Sequence, residues 1–148
     1  MVSKGTVLLI DNNENQNISN RGALTRSRYT VHIATSYTEA RSMIEDIYPD
    51  VIVMEAVLPD GDGFQFCQEI IQKTTSYVIF LTSKTDNEDC LKGLRSGGDV
   101  YLTKPYHMPE LVARVEAATR SRSRMIGYSH GQQRDSSFMK RSKVASFV

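Results

Sequence analysis

Four apolar runs in this 148-residue chain end on, or just before, side chains able to do chemistry. Thr6–Ile10 ends on Asp11 and Asn12, Val51–Met54 on Glu55, and Tyr77–Leu81 on Thr82, while Val100–Leu102 is followed by Lys104 and Pro105. Short β-branched or apolar runs bounded by turn formers read as buried strands. If the strands are parallel, their carboxyl ends share one edge of the sheet, where open α/β sheets place their sites. That edge would collect acids suited to a divalent ion, with a hydroxyl and an ammonium suited to phosphate oxygens. Singly, each residue has a plainer reading. An Asp after a strand is usually a turn or a helix cap, and a Lys before a Pro is usually solvated. The joint spacing makes the pattern specific.

The segments between these runs have helical period, as parallel strands require, since each must return by a crossover. Residues 14–28 have the weakest period, with only Ile18, Ala23 and Leu24 able to face a core. Tyr29–Ala34 alternates and reads as a second strand. Ser36 and Glu39 have capping-box spacing, and Ala40, Met43, Ile44 and Ile47 form a stripe that Pro49 stops. Val51–Glu55 is the third strand. Phe64, Cys67, Ile70 and Ile71 make the next stripe. Asp86 is placed to cap a helix with Cys90, Leu91 and Leu94 on its apolar face, ended by Gly97 and Gly98. Leu111, Val112, Val115 and Ala118 mark the last helix. Five β–α pairs imply an α/β domain with a parallel sheet covered on both faces and right-handed crossovers.

Composition bounds the function. An apolar content of 40% is enough for one domain with a core. The net charge of +1 hides an acidic body of 11 Lys/Arg against 16 Asp/Glu over residues 1–118. The remaining residues, 119–148, carry seven Lys/Arg and one acid. Cys67 and Cys90 lack CxxC spacing and a His cluster, and read as small hydrophobes rather than as a disulfide or metal site. The absence of a signal-peptide pattern and of any long apolar run predicts a cytoplasmic protein with no membrane contact.

The stretches Val7–Asp11, Pro49–Glu55, Leu58-Pro-Asp-Gly-Asp-Gly63, Ile79–Thr82, Gly93–Gly97 and Tyr101-Leu-Thr-Lys-Pro105 together resemble the response-regulator receiver (CheY-like) family, over about residues 6–119. The resemblance implies a doubly wound (βα)5, flavodoxin-like three-layer sandwich with strand order 2-1-3-4-5. It divides the chain into a receiver domain over residues 1–120 and a basic, disordered tail or linker over 121–148, and implies a two-component signalling module rather than an enzyme. In the family, an aspartate after strand three takes a phosphoryl group from a histidine kinase. The matching positions here are Glu55 as acceptor, with Asp11, Asn12, Glu55 and the Val57 carbonyl around Mg²⁺. Thr82 and Lys104 would grip the phosphate, Thr82 and Tyr101 would form the switch pair, and Lys104–Pro105 would be a cis turn. The OmpR/PhoB branch, which Asp99-Val-Tyr101 and Glu110–Arg114 resemble, dimerises through helix four, strand five and helix five. Leu94, Glu110 and Arg114 match that face, whereas Val100 and Cys90 replace charged partners.

Two departures fall on the chemistry. Glu55 replaces Asp, adding a methylene of about 1.5 Å, and a misplacement of order 1 Å can cost about 100-fold in transfer. Asn12 replaces a second acid, so Mg²⁺ binding is expected to be weak. The two changes are compatible, because fewer acids repel Glu55 and Asp11 beside Lys104. Three readings follow: Glu55 as a built-in partial mimic of the phosphorylated acid, Glu55 as a placeholder in a docking-only receiver, or a receiver still phosphorylated by its kinase and controlling a transcriptional output. A flavin or small-molecule binder on the same fold is disfavoured by the lack of a Gly-rich or hydroxyl-rich loop after strand one. In helix one, Gln16, Ser19 and Asn20 stand where the family carries apolar side chains. Each loss forgoes about 1.5–3 kcal/mol of burial, so this helix is expected to be the least protected or to present a polar face to a partner. The tail is too short for a winged helix, so contact with DNA would require an output domain outside this chain.

Overall fold

The computed structural model describes residues 2–128. Five parallel strands form the central sheet: β1 (Thr6–Ile10), β2 (Thr30–Ala34), β3 (Val51–Met54), β6 (Tyr77–Thr82) and β7 (Val100–Thr103). A two-residue hairpin, β4 (Val57–Leu58) with β5 (Gly61–Asp62), interrupts the numbering after β3. The sheet order is β2-β1-β3-β6-β7, which is the expected 2-1-3-4-5 once the hairpin is set aside. The helices are α1 (Glu14–Arg26), α2 (Tyr37–Ile47), α3 (Gly63–Ile70), α4 (Asn87–Arg95) and α5 (Met108–Tyr128).

Alternation along the strands builds two cores. Leu8, Ile10, Ile52, Met54, Val78 and Phe80 pack with α2 and α3 on one face. Val7, Leu9, Val51, Val53, Ile79 and Leu81 pack with Leu24 of α1 and with Leu111, Val115 and Ala118 of α5 on the other. Register places Ile10 opposite Met54 and Met54 opposite Phe80, so the residues just past them share one edge. The cap of α2 follows the sequence closely. Ser36 Oγ accepts from Glu39 N at 3.1 Å, while Glu39 Oε1 accepts from Thr35 N at 2.7 Å.

Three expectations need correction. In α1, Ile18 is 59% exposed, and the buried positions are Asn17, Asn20, Ala23 and Leu24. Two amides can be interior because each has a partner, as buried polar groups require. Asn17 Nδ2 donates to the Asp11 carbonyl at 2.8 Å, and the Tyr106 hydroxyl donates to Asn20 Oδ1. The polar face of α1 is thus partly used within the domain. In α4, Asp86 holds the cap position but makes no side-chain cap bond. The apolar stripe of this helix is not a core face either, since Leu91 is exposed, Cys90 and Leu94 are half-buried, and Gly93 alone is buried. A Cβ on Gly93 would sit 2.8 Å from the Tyr101 ring, so that ring occupies the space where α4 meets β7.

The third correction concerns residues 121–128, expected as the start of a disordered tail, because α5 runs through them to Tyr128. Arg122 Nη1 pairs with Asp50 Oδ1 at 2.5 Å, and Arg122 Nη2 donates to Thr75 Oγ1 at 3.1 Å. Asp50 Oδ2 also accepts from Thr6 N at 2.7 Å, so one carboxylate ties the start of β1 to the end of α5. The remaining tail, residues 129–148, lies outside the described residues.

Candidate functional site

The carboxyl edge of the sheet brings together Asp11, Glu55, Thr82 and Lys104. Asp11 follows β1, Glu55 follows β3, and Thr82 ends β6, so each is delivered by a strand whose core register is fixed. Lys104 follows β7, and its peptide bond to Pro105 is cis. Asp11, Glu55 and Thr82 are buried, at 9%, 6% and 0% exposure.

Glu55 is the centre of the arrangement. Its Oε2 accepts from the Thr82 hydroxyl, from Ala56 N at 2.6 Å and from Val57 N at 3.3 Å. Its Oε1 accepts from Lys104 Nζ at 3.0 Å and from Ser83 N at 3.4 Å. Lys104 Nζ also donates to Asp11 Oδ2 at 2.8 Å, bridging the two acids. Asp11 Oδ1 accepts from Asn13 N at 3.0 Å. Burial alone would push the Glu55 carboxyl upward. The hydrogen bonds from Thr82 and Lys104, the ammonium charge and the Ala56 N–H outweigh it and hold the carboxyl below its usual range. Burial likewise opposes the Lys104 charge, but the bonds to Asp11 and Glu55 raise its ammonium above the usual value. Both shifts favour the charged forms, so Glu55 and Lys104 meet as carboxylate and ammonium at neutral pH.

Chemically, this is a cradle for a compact anion. A hydroxyl, an ammonium and three backbone N–H groups converge on one point, and the anion they hold is a side chain of the protein itself.

A family model for the response regulator receiver domain matches residues 7–116. The chain belongs to that family. It is similar to the transcriptional regulatory protein SpaR of Bacillus subtilis, with 44% identity over 75 residues, covering 51% of this chain and 34% of the relative. The chain thus matches about a third of the length of that relative. Among solved structures, a two-component response regulator from Clostridium difficile is 32% identical, with a TM-score of 0.76, covering 78% of this chain and 95% of that one. The chemotaxis response regulator CheY4 of Vibrio cholerae, at 21% identity and a TM-score of 0.72, covers 80% of this chain and 99% of that one, and supports the fold alone. The protein is a receiver domain of two-component signalling.

As a receiver, it gathers most of the positions expected from sequence, but not all in one place. Asn12 is exposed, beside the buried Asp11. Val57, expected to offer its carbonyl to Mg²⁺, is 51% exposed and donates its N–H to Glu55. The half-buried Tyr101 packs against Phe64 and Phe80, and its hydroxyl donates to the Lys84 carbonyl at 2.9 Å. Leu94, Glu110 and Arg114 lie away from the pocket, and Arg114 meets Glu110 on the same helix at 4.0 Å.

Sequence reasoning missed three contributors. Ser83 supplies an N–H. Tyr37 donates from its hydroxyl to the Glu55 carbonyl at 2.7 Å. Asp60 holds the amino end of α2 through Tyr37 N at 3.2 Å, Thr38 N at 3.0 Å and Thr38 Oγ1 at 2.9 Å. Only the position of Tyr37, directly after the Ser36 cap, could have pointed to this edge.

Proposed function

We propose that this receiver is set by Glu55 rather than by phosphorylation, with the Glu55 carboxylate taking the place of the phosphoryl group on the acceptor. One observation carries the reading. The Thr82 hydroxyl, the Lys104 ammonium and the N–H groups of Ala56, Val57 and Ser83 all bind this one carboxylate. These are the groups that the family resemblance assigns to phosphate, together with neighbouring backbone donors. The inward contact of Tyr101 with the Lys84 carbonyl, two residues beyond Thr82, supports the same set state.

The donor set fits Mg²⁺ poorly. Each of the four carboxylate oxygens of Asp11 and Glu55 already accepts from a nitrogen or hydroxyl donor. Asn12 brings no anionic oxygen, and a hard divalent ion favours such ligands. Among the described residues, no group of three His, Cys, Asp or Glu side chains could hold a metal. Incubation with acetyl phosphate and MgCl₂, followed by intact mass measurement, is the direct test. The native chain is expected to gain no phosphoryl mass. The double variant Glu55→Asp, Asn12→Asp is expected to label at least about 100-fold faster, because the acceptor oxygen returns to its in-line position. A stable phosphoryl adduct on the native chain would refute the reading.

On this proposal, output passes through a partner or another domain. The similarity to a transcriptional regulatory protein favours transcription as that output, and a histidine kinase becomes a docking partner rather than a required donor. The face of α4, β7 and α5 is the proposed homodimer surface, with exposed Leu91, half-buried Leu94 and the Glu110–Arg114 pair upon it. Exposed ion pairs contribute only about 0–1 kcal/mol, so the apolar residues must supply most of the affinity. Sedimentation at tens of micromolar is expected to show a dimer that Leu91→Lys, Leu94→Glu disrupts. A monomer in the native chain would exclude this surface.

A further inference from the structure

We infer that Tyr37 is the positioning residue of the Glu55 pocket, acting on the peptide plane between Glu55 and Ala56. The inference rests on the proposed role of the Glu55 carboxylate and names what holds its binding groups in place. The 55–56 peptide is not cis, the only cis bond among the described residues being Lys104–Pro105. In a trans peptide, the carbonyl oxygen of one residue and the N–H of the next point in opposite directions. Gripping one end therefore aims the other. The Tyr37 hydroxyl grips the carbonyl of Glu55 at 2.7 Å, and at the far end of the same plane Ala56 N lies 2.6 Å from Glu55 Oε2. A hydrogen bond accepted by a carbonyl also polarises its amide, which strengthens the N–H as a donor. A tyrosine on α2 thus both orients and strengthens a donor of the anion cradle without touching the carboxylate.

The surroundings are built for this contact. Tyr37 is 3% exposed, and its ring stacks on Phe66 at 5.0 Å between centroids. Its backbone N is held by Asp60, which also takes two donors from Thr38. The far side of the loop is glycine where tyrosine approaches. A Cβ on Gly63 would lie 2.7 Å from Tyr37 Oη and 2.8 Å from Ala56 Cα, and one on Gly61 would lie 3.3 Å from the ring. Gly63 N in turn donates to the Ala56 carbonyl at 2.7 Å, fixing the next peptide of the loop. Tyr37, Gly63 and Asp60 together brace the loop in a conformation in which the Ala56 N–H faces the acid.

The amide proton of Ala56, read by NMR in the full chain, tests this directly. Tyr37→Phe keeps the ring and removes the grip. The Ala56 signal is expected to move upfield on the order of 1 ppm as its short bond to a charged acceptor lengthens. Ile44→Val loosens the packing of α2 without touching the peptide, and is expected to leave that signal in place. Incorporation of 3-fluorotyrosine at position 37 keeps the shape and strengthens the donor, so it should move Ala56 downfield even if the Phe variant does not fold. An unmoved Ala56 signal in Tyr37→Phe or in the fluorinated protein, or an equal shift in Ile44→Val, would overturn the assignment. This amide reads peptide orientation alone, so its outcome is separable from the phosphodonor result.

Discussion

Replacing Lys104 with methionine is expected to destabilise the protein by about 3–5 kcal/mol at neutral pH, as loss of one partner from a buried ion pair does. The geometry explains the size. Lys104 Nζ lies 2.8 Å from Asp11 and 3.0 Å from Glu55, and the side chains of Lys104, Asp11 and Glu55 are only 16%, 13% and 8% exposed. Methionine fills a similar volume but leaves two buried carboxylates without their shared cation. One of them should then take up a proton more readily, because like charges and burial both favour the neutral form. The cost of the variant should therefore shrink as pH is lowered towards the carboxyl range. The native Lys104 ammonium is raised above its ordinary value. Its contribution is thus complete below the unfolded value of about 10.4 and is lost as pH rises through the folded value. Urea unfolding at several pH values measures this. A loss below about 1 kcal/mol would show that the triad behaves as an exposed pair.

The second large effect belongs to Glu55→Gln. This change keeps the shape and removes the charge to which the Thr82 hydroxyl, the Lys104 ammonium and the three N–H groups donate. Hydrogen bonds to charged groups contribute about 1.5–3 kcal/mol, so a loss of that order is expected at neutral pH. The glutamine NH₂ also presents a donor to a cradle made of donors. Because the folded carboxyl is held below its ordinary value, the stability it adds is complete above the unfolded value of about 4.3. That stability disappears as pH falls through the folded value, where native Glu55 takes a proton and becomes like glutamine. The two stability curves should therefore converge in acid. Parallel curves down to the lowest folded pH would mean that the Glu55 charge does not stabilise the pocket. If Tyr101 turns inward because the cradle is filled, the same variant should also loosen the contact with the Lys84 carbonyl, visible as faster exchange in the loop after β6.

Read alone, the sequence determined the frame and the composition of the site. Strand runs with period two, helical stripes with period near 3.6, and the placement of Asp11, Glu55, Thr82 and Lys104 at strand ends suffice, because a parallel sheet must gather its carboxyl ends. The two departures, Glu55 and Asn12, were visible as residue types. The Ser36–Glu39 cap was legible because it is local.

What the sequence left open depends on contacts between distant segments. The burial of Asn17 and Asn20 rather than Ile18 was not legible, since hydrophobicity argues the other way. Partners supplied by the Asp11 carbonyl and by Tyr106, far along the chain, decide it. The exposure of Leu91 depends on how α4 sits over the Tyr101 ring. The continuation of α5 past residue 120 depends on Asp50 and Thr75, which meet Arg122 only in the folded chain. Above all, the residue type at position 55 could not say where its carboxylate would turn. One extra methylene could have pointed it to solvent. Tertiary structure turns it onto Thr82 and Lys104 and beneath the N–H groups of its own loop, because the hydroxyl, the ammonium and the backbone there present donors that converge on one buried point.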